Sequence, residues 1–66
     1  MTANANEICL RVPLSEQEAW DLAQFLKRVG YAEFRINAVD DEGAYRMQAA
    51  AEKVMEILAA MGYSLK

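Results

Sequence analysis

The chain has 66 residues, ten carboxylates against seven Lys and Arg for a net charge of −3, one cysteine and no histidine. At this length it is one domain near the lower limit for a hydrophobic core, burying only about 60% of its unfolded surface. Its 55% apolar and 26% charged residues lie outside the composition of disordered chains, and the lack of histidine removes the usual zinc and transition-metal clusters, so no cofactor is expected.

Met1 to Asn6 have neither the basic start nor the apolar stretch of a signal peptide, and this stretch is expected to be disordered. No apolar run in the chain approaches the ~20 residues of a membrane span. With Cys9 unable to pair within the chain, the sequence reads as a protein of a reducing cytoplasm, with residues 1–66 forming a single compact domain.

Glu7 to Val12 alternate, with Ile8, Leu10 and Val12 on one side and Cys9 and Arg11 on the other, which is the period of a half-buried strand ended by Pro13. Ser15 and Glu18 then form a capping box, flanked by Leu14 and Ala19 at the staple positions. A helix is therefore expected over about 16–29, with Ala19, Leu22, Phe25, Leu26 and Val29 on its core face and Gly30 as a left-handed cap. The segment of about 32–38 supports two readings. Phe34, Ile36 and Ala38 alternate as a strand, whereas Ala32, Glu33 and Arg35 are compatible with a short helix, the slightly better reading because a capped helix follows at once. On the helix reading, Glu7 to Val12 must pair with Tyr63 to Lys66 or with a second copy of the strand, which allows a homodimer.

Asp40, Asp41 and Glu42 supply a cap and a dipole-compatible first turn for a long helix over about 41–61, closed by Gly62. Its core stripe is expected to be Met47, Ala50, Val54, Ile57, Leu58 and Met61. The expected fold class is α+β, mainly helical, with one N-terminal strand.

Catalysis is disfavoured, because the lone thiol has no histidine to activate it and Gly30, Gly43 and Gly62 are too dispersed for a phosphate loop. Asp40 and Asp41 could hold a divalent metal, but helix capping explains them better, since no alternating set of oxygen ligands surrounds them. Recognition then falls to surfaces. Trp20 lies opposite Leu22, Leu26 and Val29 on its helix. It is either a binding anchor or, more economically, packed against the strand or the middle segment of so small a domain. Tyr45, Ala49, Glu52 and Glu56 form an acidic face on the last helix, headed by Asp40 to Glu42. That face is either an ordinary solvated surface or one steered toward a basic protein partner. Direct nucleic-acid binding is not expected: Lys27, Arg28, Arg35 and Arg46 are few and interleaved with acids.

The run from Leu14 to Gly30 (LSEQEAWDLAQFLKRVG), followed by Ala38-Val39-Asp40-Asp41-Glu42 and Ala44-Tyr45, resembles a family of very small proteins from phages and mobile elements. The likeness spans about Leu14 to Tyr63 and has no defined functional motif, so no active residue transfers. Some members of such families look like anti-CRISPR proteins acting on type I surveillance complexes. The resemblance implies inhibition by occlusion, with an acidic body docked on a basic, DNA-binding subunit surface of the complex. The partner-binding residues on this reading are Asp40, Asp41, Glu42, Tyr45, Glu52, Glu56 and Trp20. A different class is a small homodimeric regulatory module, antitoxin-like or accessory, whose N-terminal strands pair between copies.

Overall fold

Three helices follow one another in the computed structural model, which describes residues 7–64: α1 (Glu16–Arg28), α2 (Tyr31–Ile36) and α3 (Asp41–Ala60). Both α1 and α2 pack on α3 rather than on each other. Each helix begins where a side chain satisfies backbone donors that no helical carbonyl can reach. Ser15 Oγ accepts from the Glu18 N–H at 3.0 Å, and the Glu18 carboxylate accepts from the Ser15 N–H at 2.9 Å, so the expected capping box is present.

The helix reading of the middle segment holds, as Tyr31–Ile36. Gly30, expected as a left-handed cap of α1, instead has φ −112° and stands as the N-cap of α2. Glu33 explains this: its carboxylate accepts from the Gly30 N–H at 2.6 Å, so a second helix starts with only two residues between it and the end of the first.

The N-terminal strand is not formed, and among the described residues the fold is all-helical rather than α+β. Ile8, Leu10 and Val12 are 81%, 77% and 63% exposed. Alternation fixes which side chains share a face, but a strand also needs a ladder partner. With the middle segment helical and Tyr63 bonded back into the end of α3, none of the described residues supplies one. The expected disorder of residues 1–6, and Leu65 and Lys66 of the expected pairing segment, lie outside the described residues.

The end of α3 is a Schellman motif. Gly62 takes φ +99°, its N–H donates to the Ala59 carbonyl at 3.0 Å, and the Tyr63 N–H donates to the Leu58 carbonyl at 2.8 Å. This turn brings Tyr63 against the cluster of Ala19, Ala23 and Leu58, where Leu22 and Leu26 also pack.

The core is small, and among the described residues three of the four buried ones are alanines: Ala19, Ala23 and Ala44, with Leu58. Small side chains let helix backbones approach closely, so the buried face follows the alanines rather than the largest apolar residues. On α1, Phe25 was expected inside and is 62% exposed, whereas Ala23 is buried. On α3 the covered face is Ala44, Gln48, Ala51, Met55 and Leu58, all buried or half-buried. Of the expected core stripe only Leu58 is buried; Met47, Ala50, Val54, Ile57 and Met61 are exposed.

Candidate interaction surface

The acidic run at the start of α3 separates into three different environments. Asp40 is the N-cap, its carboxylate accepting from the Gly43 N–H at 2.8 Å. Asp41 turns back to α2, where its Oδ1 accepts from Arg35 Nε at 2.6 Å and from the Tyr31 hydroxyl at 3.2 Å. Glu42 is exposed in the first turn. Arg35 Nη1 also donates to the Ala38 carbonyl at 3.3 Å, bracing the link between the two helices. Tyr31 and Tyr45 lie together, ring centroids 5.2 Å apart and tilted by 35°.

These contacts move two titrations in opposite directions. The Arg35 hydrogen bond, then the Tyr31 hydroxyl, then the Arg35 charge hold the Asp41 carboxyl below its ordinary value. Desolvation, followed by the Asp41 hydrogen bond and charge, pushes the Tyr31 phenol up. A carboxyl with a lowered folded pKa stabilises the fold above its unfolded pKa and loses that contribution as pH falls through the folded value. Acidification below the ordinary Asp range is therefore expected to weaken the α2–α3 link, whereas the Tyr31 contribution is full at neutral pH and lost as pH rises through its raised value. Comparing the pH dependence of the thermal midpoint with that of Asp41→Asn checks this: an acid limb of equal slope in the variant would rule out Asp41 as its source. The effect should be small, because the pair is exposed to solvent and screened by salt.

Tyr45, Glu52 and Glu56 are exposed on one side of α3, with Tyr45 at 61%. At about 100° per residue they lie roughly opposite the exposed stripe of Met47, Val54 and Ile57, and about a quarter turn from the covered face. Glu52 also borders a shallow groove with Leu26, Phe34 and Met55 between α1, α2 and α3.

Trp20 sits at the other end of the molecule from Asp40. Its ring meets Tyr63 edge-on, with centroids 5.0 Å apart and planes at 71°, leaving it 40% exposed. Trp20 therefore packs, but on Tyr63 after the end of α3 and not on the strand or middle segment expected to cover it. A helix of 20 residues is about 30 Å long, so the structure does not bring Trp20 together with the Asp40 to Glu42 cluster. The seven candidate residues are spread along α3 and over its far end.

Sequence reasoning missed Tyr31 and Arg35 as partners of Asp41, and Tyr63 as the partner of Trp20. Only the last had a readable signal: an apolar residue directly after a helix-closing glycine is the position that packs back onto the final turn. Among the described residues no group of three or more His, Cys, Asp or Glu is placed to hold a metal ion, and no helix is long and apolar enough to cross a membrane. Cys9 is an exposed free thiol.

The chain is thus a small helical domain, two short helices laid on one long one, with Tyr31 and Arg35 of α2 bonded to Asp41 at the start of α3. A family model matches residues 1–66, and the chain belongs to that family, a family of unknown function (DUF7706). No curated protein and no solved structure matches it. The anti-CRISPR expectation therefore draws on the sequence likeness alone.

Proposed function

We propose that the protein is a non-enzymatic binding module of the host-cell cytoplasm that presents the acidic side of α3 to a basic protein surface. The observation behind this reading is the exposure of Glu42, Tyr45, Glu52 and Glu56 along one helix. Glu52 and Glu56 are like charges four residues apart, an arrangement that slightly disfavours the helix by itself and that a cationic partner would relieve. Asp40 and Asp41 contribute field rather than contacts, because their carboxylates already serve the cap and the Arg35 pair. The particular partner proposed is the DNA-binding surface of a type I CRISPR surveillance complex, blocked by occlusion.

Charge reversal at both Glu52→Lys and Glu56→Lys is the test. Both side chains are exposed, so far-ultraviolet circular dichroism should be unchanged. Affinity for a purified type I complex should fall at least about tenfold at low ionic strength and become less sensitive to salt. Undiminished inhibition of target-DNA binding by the double variant would discard the acidic side of α3 as the docking surface. Failure of the wild-type protein to bind the complex would discard the proposed partner.

A further inference from the structure

Every residue from Glu7 to Val12 is exposed, and among the described residues none of their backbone groups takes part in a backbone–backbone hydrogen bond. A single copy offers this segment no ladder partner, so within one chain it forms no strand. Its side chains are nevertheless ordered along the chain. Extended backbone would set Ile8, Leu10 and Val12 on one side and Glu7, Cys9 and Arg11 on the other. On that second side the two charges stand at opposite ends, with opposite signs, at equal distances from Cys9.

That order is complementary to itself when the chain direction is reversed. In an antiparallel pair, residues directly opposite each other point to the same side and interact as pairs. With a two-fold axis at Cys9, Glu7 of each copy faces Arg11 of the other, Ile8 faces Leu10, and Cys9 faces its counterpart. Other registers lose this match. An axis at Ile8 or at Leu10 faces Cys9 with one of the charged residues and parts Glu7 from Arg11. An axis at Arg11 sets the two guanidinium groups against each other, and an axis between two residues faces Ile8, Leu10 and Val12 with the opposite side of the segment. A parallel pair in register sets Glu7 beside Glu7 and Arg11 beside Arg11. Opposite charges across a pair stabilise it and like charges destabilise it, so charge complementarity selects the antiparallel register centred on Cys9.

We infer that two copies of the chain associate through residues 7–12, paired antiparallel about an axis at Cys9 and held in register by two Glu7–Arg11 pairs. Each copy keeps its all-helical fold, and the segment pairs only between copies. A symmetric pair needs a surface that complements itself, which the sequence of charges supplies. Pro13 has no N–H to extend the ladder, and the capping box at Ser15 starts α1 directly afterwards. The two helical bodies would therefore hang from opposite ends of a short ribbon. A two-stranded ribbon is marginal by itself, so the dimer is weak and exchanges with monomer. No residue of the acidic side of α3 is used, and the inference stands whatever that side binds.

Cys9, an exposed free thiol and the one cysteine of the chain, serves as the probe. Facing residues of an antiparallel pair have Cα atoms about 4.5–5.5 Å apart, within the ~4.4–6.8 Å that a disulfide spans. In a glutathione redox buffer the full chain should form the Cys9–Cys9 disulfide at least about tenfold faster than Cys9→Ser/Val12→Cys forms its own, because those thiols would lie about 20 Å apart along the ribbon. Glu7→Arg should slow the Cys9 disulfide about tenfold, by setting guanidinium groups opposite each other twice in each dimer. Chance collision predicts the reverse, since this substitution brings the net charge of −3 closer to zero and weakens the repulsion between copies. Glu7→Arg combined with Arg11→Glu restores both pairs in exchanged order and should return the rate to within about twofold of the wild type. Helical circular dichroism should be the same throughout, because the substituted side chains are exposed. A wild-type rate no higher than that of the Val12→Cys probe would overturn the inference, and is the result expected if the segment is covered by its own chain or by a different partner. A Glu7→Arg rate at or above the wild-type rate would overturn it too, as would a double exchange that fails to rescue.

Discussion

Replacing Leu58 with alanine is expected to remove about 2–5 kcal/mol of stability, the usual range for truncating a buried leucine. A domain of this size draws only about 3–5 kcal/mol from a single core, so the variant should keep at most about 3 kcal/mol, and a loss at the upper end of the range unfolds it at room temperature. Among the described residues Leu58 is the one buried residue larger than alanine, and it meets Ala19 and Ala23 of α1 together with Tyr63. The alanines around it cannot extend into the space it leaves, so the cavity term adds to the lost transfer energy. Urea unfolding followed by circular dichroism measures the effect, with Ile57→Ala on the exposed side as the comparison. A Leu58→Ala midpoint no lower than that of Ile57→Ala would contradict the packing of α1 on α3 described above.

The reverse substitution has its largest effect at Ala44, which has no exposed surface. Enlarging it to leucine forces three extra carbons into the half of α3 that meets α2, at an expected cost of about 1–3 kcal/mol. Relief would require α2 to move outward, and that would stretch the hydrogen bonds that tie Tyr31 and Arg35 to Asp41. Ala49→Leu, on the exposed acidic side of the same helix, should stay within about 0.5 kcal/mol of the parent. Equal losses at the two positions in thermal or urea unfolding would mean that Ala44 is not enclosed as the structure has it.

Helix positions were readable because their signals are local. Ser15 with Glu18, Asp40 with Gly43, and Gly62 each mark an end through chemistry that spans only a few residues. The core face was less readable. Periodicity ranked the large apolar residues of α3 and chose Met47, Val54 and Ile57 along with Leu58, whereas the helices approach along Ala44 and Ala51 beside Leu58. Both sets repeat at helical spacing, and only tertiary packing decides between them. The strand at Glu7 to Val12 failed for a related reason: alternation is a property of one segment, and pairing is a property of two. For the candidate surface, the exposure of Glu52 and Glu56 follows from the helix alone. The capture of Asp41 by Arg35 and Tyr31 depends on how α2 is set against α3, which no local pattern encodes.

α1 and α2 each pack on α3, and among the described residues they are joined directly only at the Val29–Gly30 junction, where Glu33 of α2 holds the Gly30 N–H. The six-residue α2 contributes no buried side chain of its own. It could therefore open while α1 stays docked, giving the domain a graded rather than an all-or-none response to heat or denaturant. The Trp20–Tyr63 pair would not register that opening, since it belongs to the opposite end of the molecule.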